Sequence, residues 1–179
     1  SAVPYYLDES NDWDLRLDQL EMSLVKAREN GIHTRALVVI NPGNPTGQCL
    51  SQSSMQKIAR FCHRHNLVLL ADEVYQSNTY DSKRPFHSFR KVVRSMPVIG
   101  DQLELISFHS TSKGFLGECG RRGGFMELLN IKPDAIEQIY KKASIALCAN
   151  VPGQVAVGMM VNPPKPADTS YASYNAESP

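Results

Sequence analysis

Short apolar runs alternate along this chain with longer segments in which apolar residues recur every three or four positions. The longer segments are typical of amphipathic helices, and we predict three of them, beginning near Asp14, Ser51 and Pro133. Ser51 or Ser53 is a suitable cap for the second. The predicted buried faces are Leu17, Leu20, Leu24 and Ala27; Met55, Ile58, Ala59 and Cys62; and Ile136, Ile139, Tyr140, Ala143 and Leu147.

Four short apolar runs lie between or beside these helices and are typical of strands: residues 35–40, 67–71, 103–107 and 123–127. The first two are continuously apolar, which predicts strands buried on both faces, as in a parallel sheet. The segment 76–100 is irregular, with a short helix at 88–94. Strands that alternate with helices predict an α/β fold with a mostly parallel sheet flanked by helices.

Composition excludes some classes of partner. Among 179 residues, 42% are hydrophobic, 21% are charged and the formal net charge is +1, which is typical of a soluble globular protein. No basic stripe and no 18-residue apolar run is present, so we expect no nucleic-acid partner and no membrane span. The four widely spaced cysteines predict reduced thiols and no metal site. The chain begins at Ser1 rather than at Met, so its compartment is open.

Three polar clusters follow three of the predicted strands. They are Asn41-Pro-Gly-Asn-Pro-Thr-Gly47, Asp72-Glu-Val-Tyr75 and Ser107-Phe-His-Ser-Thr-Ser-Lys-Gly114. In α/β sheets, ligands bind at the carboxyl ends of the strands. The sequence therefore predicts that the three clusters form one pocket.

These residue types match the needs of a pyridine-aldehyde phosphate cofactor. The Lys113 amine can hold an aldehyde as a Schiff base, and the Asp72 carboxylate can face a protonated ring nitrogen. Asn44 and Tyr75 can donate to the phenolic oxygen of the ring. A phosphate needs hydroxyls, backbone N–H groups and an arginine, which are offered by Ser110, Ser112 and the run Gly120-Arg-Arg-Gly-Gly124.

Each residue alone has a simpler explanation. Asp72 suits a strand end, Asn44 suits a turn between Gly43 and Pro45, and Tyr75 suits packing. Most lysines are solvated surface charges. The occurrence of all of them in order at three strand ends is what favours a cofactor site.

The same runs resemble the signature of the fold-type I pyridoxal-phosphate aminotransferases. The resemblance rests on Asn41-Pro-Gly-Asn-Pro-Thr-Gly47, on Ser110-Thr-Ser-Lys113 and on the run between them, 70–76. Gly117-Glu-Cys-Gly120 resembles the alanine aminotransferases within that family. The similarity extends from Tyr5 to the Pro-rich tail.

The resemblance implies a role for each residue. Lys113 is the Schiff-base lysine and, desolvated in its pocket, the proton shuttle, while Asp72 pairs with the pyridine nitrogen of pyridoxal 5'-phosphate. Asn44 and Tyr75 bond the phenolic oxygen, and the Asn44–Pro45 peptide bond is cis. The phosphate ligands are Ser110, Ser112 and Arg122, with Arg122 preferred to Arg121 because it directly precedes Gly123-Gly124.

The resemblance also implies the domain organisation and the reaction. Such enzymes are more than twice this length, so we expect residues 1–161 to be part of the cofactor-binding large domain. Residues 162–179 are expected to be a Pro-rich connection to a C-terminal region. The implied reaction converts L-alanine and 2-oxoglutarate to pyruvate and L-glutamate in a cytoplasmic or mitochondrial homodimer.

Three alternatives stay open. Aspartate or aromatic transaminases and aminocyclopropane-carboxylate synthases share the cofactor residues. Ser110-Thr-Ser-Lys113 also fits a serine-acylating S-x-x-K motif, although the Ser-Asp-Asn and Lys-Thr-Gly runs of that class do not occur. The chain could also be a folded module without turnover.

Overall fold

A computed structural model describes residues 2–177, which form a mixed sheet of four strands in the order β1-β2-β3-β4. The strands are β1 (Ala36–Ile40), β2 (Val68–Asp72), β3 (Leu105–Ser110) and β4 (Gly124–Leu129). The first three are parallel and β4 is antiparallel to β3. The predicted α/β class with a mostly parallel sheet is confirmed. Residues 178 and 179, at the end of the expected connection, lie outside the described residues.

Helices connect and flank the strands. They are α1 (Leu17–Glu29), α2 (Gln52–Arg64), α3 (Phe89–Arg94), α4 (Ile99–Gln102), α5 (Pro133–Ser144), α6 (Val151–Val161) and α7 (Tyr171–Glu177). Single 3-10 turns lie at Glu9–Asn11 and Cys119–Arg121. In the part of the chain that is described, no helix has the length and apolarity needed to cross a bilayer.

Local sequence explains where several helices begin. The Ser51 hydroxyl caps α2 by accepting from the Ser54 amide at 3.0 Å, as predicted. Ser88 caps α3 in the same way, through the Lys91 amide at 3.2 Å. Pro133 lies in the first turn of α5, where a missing N–H costs nothing. The helices α4, α6 and α7 were not predicted; α6 is apolar all round and shows no helical period to detect.

The core lies on one face of the sheet, between the strands and helices α1 to α4. Leu37 and Val39 of β1 point into it and are buried. Their neighbours Val38 and Ile40 are 52% and 40% exposed. In β2, Val68 and Leu70 are likewise only partly buried. The prediction that these two strands are buried on both faces is therefore wrong for the described residues. The second face of β1 is apolar, but these helices all pack on the first.

Helix α5 differs from expectation in the same way. Its apolar period is real, but none of its residues is buried. Tyr140 is 72% exposed, and Leu147, just beyond the helix, is 85% exposed. An amphipathic period predicts a helix correctly while saying nothing about whether its partner surface is present.

Strand β3 begins two residues later and ends three residues later than predicted. Leu103 is the C-cap of α4 instead, and the strand continues to Ser110 because it pairs with β4 as far as Ser110↔Gly124. The extension matters because it carries the strand directly into the loop that holds Lys113.

Truncation of Ile58 tests the placement of the core. Ile58 lies on α2 and is 1% exposed. We expect Ile58→Ala to lower the free energy of unfolding by about 2–5 kcal/mol, since it leaves a cavity among close-packed side chains. Urea denaturation followed by circular dichroism measures the change.

Ile145→Ala is the matched control, because Ile145 is 81% exposed. We expect it to change the free energy of unfolding by less than about 0.5 kcal/mol. Equal losses in the two variants would contradict the described core.

Candidate functional site

A depression of about 350 Å³ lies at the carboxyl ends of the parallel strands. It contains six of the seven predicted cofactor residues. They are Asn44, Asp72, Tyr75, Ser110, Ser112 and Lys113. Ile40, Val74, Phe108 and His109 complete its wall. The structure thus brings residues of the three predicted clusters together at one edge of the sheet.

Asp72 occupies the centre of this edge. It is the last residue of β2 and is in register with Ile40 of β1 and Phe108 of β3. Its Oδ1 accepts from the Val74 amide at 3.2 Å, which holds the carboxylate at the start of the turn. The side chain is partly buried. A carboxylate held in this way favours a cationic partner in the depression.

Asn44 and Tyr75 come together from different loops. The Asn44 side-chain nitrogen is 3.2 Å from the Tyr75 hydroxyl oxygen. The turn after β2 places Tyr75, whose carbonyl accepts from the Asn78 amide at 2.8 Å. The Asn44–Pro45 peptide bond is cis, as expected. The two side chains thus present neighbouring polar groups to the same space.

Asn41 holds the loop that carries Asn44, and sequence reasoning assigned it no role. Asn41 is fully buried. Its backbone N–H donates to the Asp72 carbonyl at 3.0 Å, and its side-chain oxygen accepts from the Leu50 amide at 2.9 Å. Both ends of the loop are therefore tied to the sheet next to Asp72.

Lys113 lies in the loop after β3 and borders the depression. Gly114, which follows it, has a φ of +59° and approaches the Val74 carbonyl so closely that a Cβ would be 3.1 Å from the oxygen. This turn directs the chain back across the site. Lys113 itself is exposed. The expectation of a desolvated lysine is therefore wrong for this chain, because the depression is open to solvent on that side.

Arg122 does not line the depression but reaches its polar end. One guanidinium nitrogen, Nη1, is 3.4 Å from the Ser112 hydroxyl oxygen and 2.9 Å from the Cys119 carbonyl oxygen. Arg121 lies instead beside Glu118, with Nε and Oε2 3.9 Å apart. The Ser112 amide donates to the Ser110 hydroxyl at 3.3 Å. Two hydroxyls and one guanidinium thus form a compact group of anion-binding type.

His109 was missed by the sequence reasoning. Its ring meets Phe125 edge to face, with ring centroids 5.8 Å apart, and its Nε2 is 3.3 Å from the Gln76 amide nitrogen. Burial lowers the pKa of His109, and the nearby Asp72 carboxylate opposes this effect. Its Nδ1 is buried without a hydrogen-bond partner among the described residues. The contact with Phe125 follows from the antiparallel pairing of β3 with β4, which local sequence does not reveal.

Glu73 is a second residue that sequence reasoning did not single out. It is 5% exposed, and its Oε1 accepts from the Phe89 amide at 2.7 Å. Burial raises the pKa of Glu73 to about 7. The hydrogen bond from the Phe89 amide opposes this rise in pKa. The nearby Ser107 hydroxyl also opposes it, although its geometry does not meet the criteria for a hydrogen bond. The adjacent Asp72 carboxylate raises the pKa of Glu73 further. Glu73 therefore links the end of β2 to the start of α3.

The set of donors fits a phosphorylated pyridine aldehyde. An amine, a carboxylate and a donor pair line one depression, and the arginine group lies at its end. Apolar side chains from β1 and β3 form a wall against which a flat ring can pack. Within residues 2–177, no three His, Cys, Asp or Glu side chains are grouped in a way that could hold a metal ion.

A model of the family "Aminotransferase class I and II" matches residues 1–175. The chain belongs to the class I and II aminotransferase family. Among curated relatives, alanine aminotransferase 1, mitochondrial, from Arabidopsis thaliana is 54% identical over 177 residues, which are 99% of this chain and 33% of that protein. Glutamate–glyoxylate aminotransferase 1 from the same plant is 53% identical over 179 residues, covering 99% and 37%. The chain thus spans about a third of the length of these aminotransferases.

Solved structures agree with the family. An aminotransferase from Escherichia coli has a TM-score of 0.72 at 34% identity, over 90% of this chain and 37% of that one. Alanine aminotransferase from Pyrococcus furiosus has a TM-score of 0.74 at 25% identity, over 92% and 38%. These likenesses confirm the predicted fold of a fold-type I aminotransferase.

Replacement of Glu73 by Gln tests the burial of its carboxyl group. Because the pKa of Glu73 rises from 4.5 to about 7 on folding, the folded protein keeps a proton that the unfolded chain has lost between these pH values. Stability from this group is therefore complete below about pH 4.5 and is lost as the pH rises through 7. At about 1.4 kcal/mol per pH unit, the loss is on the order of 3 kcal/mol.

Glu73→Gln keeps an oxygen for the Phe89 amide and removes the charge. We expect the difference in free energy of unfolding between the two proteins to shift in favour of the variant as the pH rises from 4.5 to 7. Urea titrations at several pH values measure this difference. A difference that does not vary with pH would rule out the buried ionisable carboxyl.

Proposed function

We propose that this chain forms the cofactor-binding part of a pyridoxal-phosphate-dependent aminotransferase. The observation that supports this most directly is the common depression, where Lys113, Asp72 and the Asn44–Tyr75 pair meet. Family membership limits the chemistry to amino-group transfer and related reactions. In the proposed domain organisation, residues 1–161 belong to the large domain and residues 162–179 connect to a further region.

Each residue in the depression has a proposed contact with the cofactor. The Lys113 amine would hold the aldehyde covalently, and the Asp72 carboxylate would keep the ring nitrogen protonated. Asn44 and Tyr75 would donate to the phenolic oxygen. The phosphate ligands would be Ser110, Ser112 and Arg122. When bound, the cofactor supplies an aldehyde and a ring that accepts electrons.

Lys113 would also move the proton that transamination requires. As a free amine in the depression, Lys113 would be the general base that takes up the α-proton of a bound amino acid. The same amine would also return the proton, as a general acid. In the described chain this lysine is exposed. Its use as a base therefore requires that other parts of the enzyme cover the depression, because water would otherwise compete for the proton.

The proposed substrates are L-alanine and 2-oxoglutarate, with pyruvate and L-glutamate as products. Relatives named alanine aminotransferase support this pair. Relatives of equal identity named glutamate–glyoxylate aminotransferase favour a second pair, in which L-glutamate donates to glyoxylate. Aspartate or aromatic transamination and aminocyclopropane-carboxylate synthesis are less favoured by these names. We propose a homodimer in the cytosol or the mitochondrion.

Replacement of Lys113 tests the cofactor assignment. We expect Lys113→Ala to abolish the covalent adduct with pyridoxal phosphate and to abolish turnover, because among the described residues that line the depression Lys113 alone carries an amine. Borohydride reduction followed by peptide mass mapping measures the adduct, and a coupled oxo-acid assay measures turnover.

Lys142→Ala is the control, since Lys142 lies exposed on α5, whose residues contribute nothing to the depression. Full transaminase activity of Lys113→Ala would refute the assignment. An adduct on Lys113 of the wild-type protein without turnover would favour a folded module instead.

A panel of donors and acceptors distinguishes the two substrate pairs. For the protein at its natural length, we expect the highest kcat/KM with L-alanine as donor and 2-oxoglutarate as acceptor. Glyoxylate as the better acceptor would instead support the second pair, and preference for an aromatic donor or for aspartate would contradict both.

A further inference from the structure

The backbone around Arg122 is held between the Lys113 loop on one side and helix α6 on the other. Arg122 has a φ of +52°, in the left-handed region, which a non-glycine residue adopts only when its surroundings hold it there. On one side, the Gly123 carbonyl accepts from the Thr111 amide at 3.0 Å and from its hydroxyl at 3.2 Å. Thr111 is fully buried in the Lys113 loop.

On the other side lies the first turn of α6. Asn150 caps this helix by accepting from the Gly153 amide at 2.7 Å, and its side-chain nitrogen is 3.4 Å from the Arg122 carbonyl oxygen. The amide of one side chain thus fixes the helix end and also contacts the arginine backbone. The helix end and the Arg122 segment are therefore placed relative to each other.

The packing of α6 against the Arg122 segment leaves no space for a side chain at Gly153. A Cβ on Gly153 would lie 2.6 Å from the Arg121 carbonyl oxygen, and a Cβ on Gly123 would lie 2.6 Å from the Gly153 carbonyl oxygen. Distances this short require the backbone to move, since the opposing atoms belong to the main chain. The two glycines therefore allow α6 and the segment 121–123 to pack backbone against backbone.

We infer that Gly153 and Asn150 are positioning residues for Arg122, and that the first turn of α6 aims its guanidinium at the Ser112 hydroxyl. This inference rests on the proposed function, in which Arg122 binds the cofactor phosphate. It assigns part of the phosphate affinity to a helix that supplies none of the proposed phosphate ligands. We expect an added methyl group on Gly153 to displace Arg122 through the Arg121 carbonyl, while Lys113 and Asp72, which are not among the atoms nearest to that methyl group, keep their places.

The test compares two aldehydes in the protein at its natural length. Pyridoxal phosphate and pyridoxal share the ring and the aldehyde, and only the first carries the phosphate. We expect Gly153→Ala to weaken pyridoxal phosphate binding by about tenfold to a hundredfold, the range for loss of a charge-assisted hydrogen bond. Binding of pyridoxal is expected to be unchanged. Spectroscopic titration of the apoprotein measures both dissociation constants.

Gly158→Ala is the matched control on the same helix. No atom lies within 4 Å of a Cβ at Gly158, so this variant gains the same helix propensity without the contact. We expect it to bind both aldehydes as the wild-type protein does. Equal weakening of pyridoxal and pyridoxal phosphate by Gly153→Ala would overturn the inference, because it would indicate general damage.

A double-mutant cycle asks whether the effect passes through Arg122. Arg122→Ala should by itself weaken the phosphorylated aldehyde selectively. In that background Gly153→Ala should weaken it no further, since the group that it displaces is gone. Additive losses would show that Gly153 acts elsewhere and would overturn the inference.

If Gly153→Ala does not fold, Asn150→Asp provides a second test of whether α6 positions Arg122. The aspartate keeps an oxygen to cap α6 and removes the amide that donates to the Arg122 carbonyl. We expect the same selective loss of pyridoxal phosphate affinity, and its absence would count against the inference. Failure of the wild-type protein to bind either aldehyde at Lys113 would instead refute the proposed function, and with it the inference.

Discussion

The parallel register of β1, β2 and β3 is the constraint on which the candidate site depends. It places Ile40, Asp72 and Phe108 side by side at one edge of the sheet. The Asn41 amide extends this pairing by one further hydrogen bond, to the Asp72 carbonyl at 3.0 Å. A slip of one residue between strands would turn Asp72 to the opposite face and separate it from the other two loops. The loops carry the functional groups, but the strands bring them together.

Much of this arrangement is readable from local sequence. The apolar runs that become β1 and β2 are bounded by turn residues, and the caps Ser51 and Ser88 mark helix starts by a mechanism that acts within four residues. The order of the polar clusters, combined with the rule that parallel strands end at one edge, is enough to predict that Asn44 lies near Tyr75.

What sequence reasoning missed depends on contacts between distant segments. Glu73 follows Asp72 directly, yet its burial depends on its bond to the Phe89 amide in α3. His109 borders the depression and packs against Phe125, its partner residue in the antiparallel β3–β4 pair. The exposure of Lys113 and of the second face of β1 was not predicted for the same reason, because it depends on which other segments cover these surfaces. Periodicity shows which residues are apolar but not which surfaces cover them.

The place of Thr111 has a consequence for any ligand that bridges the site. This residue lies two positions before Lys113, and its amide and hydroxyl both bind the carbonyl of Gly123, the residue after Arg122. The backbone of the Lys113 loop is consequently tied to the backbone directly after Arg122 by a residue that supplies neither the amine nor the guanidinium. A ligand that contacts both Lys113 and Arg122 therefore meets two loops that are already joined to each other before it binds.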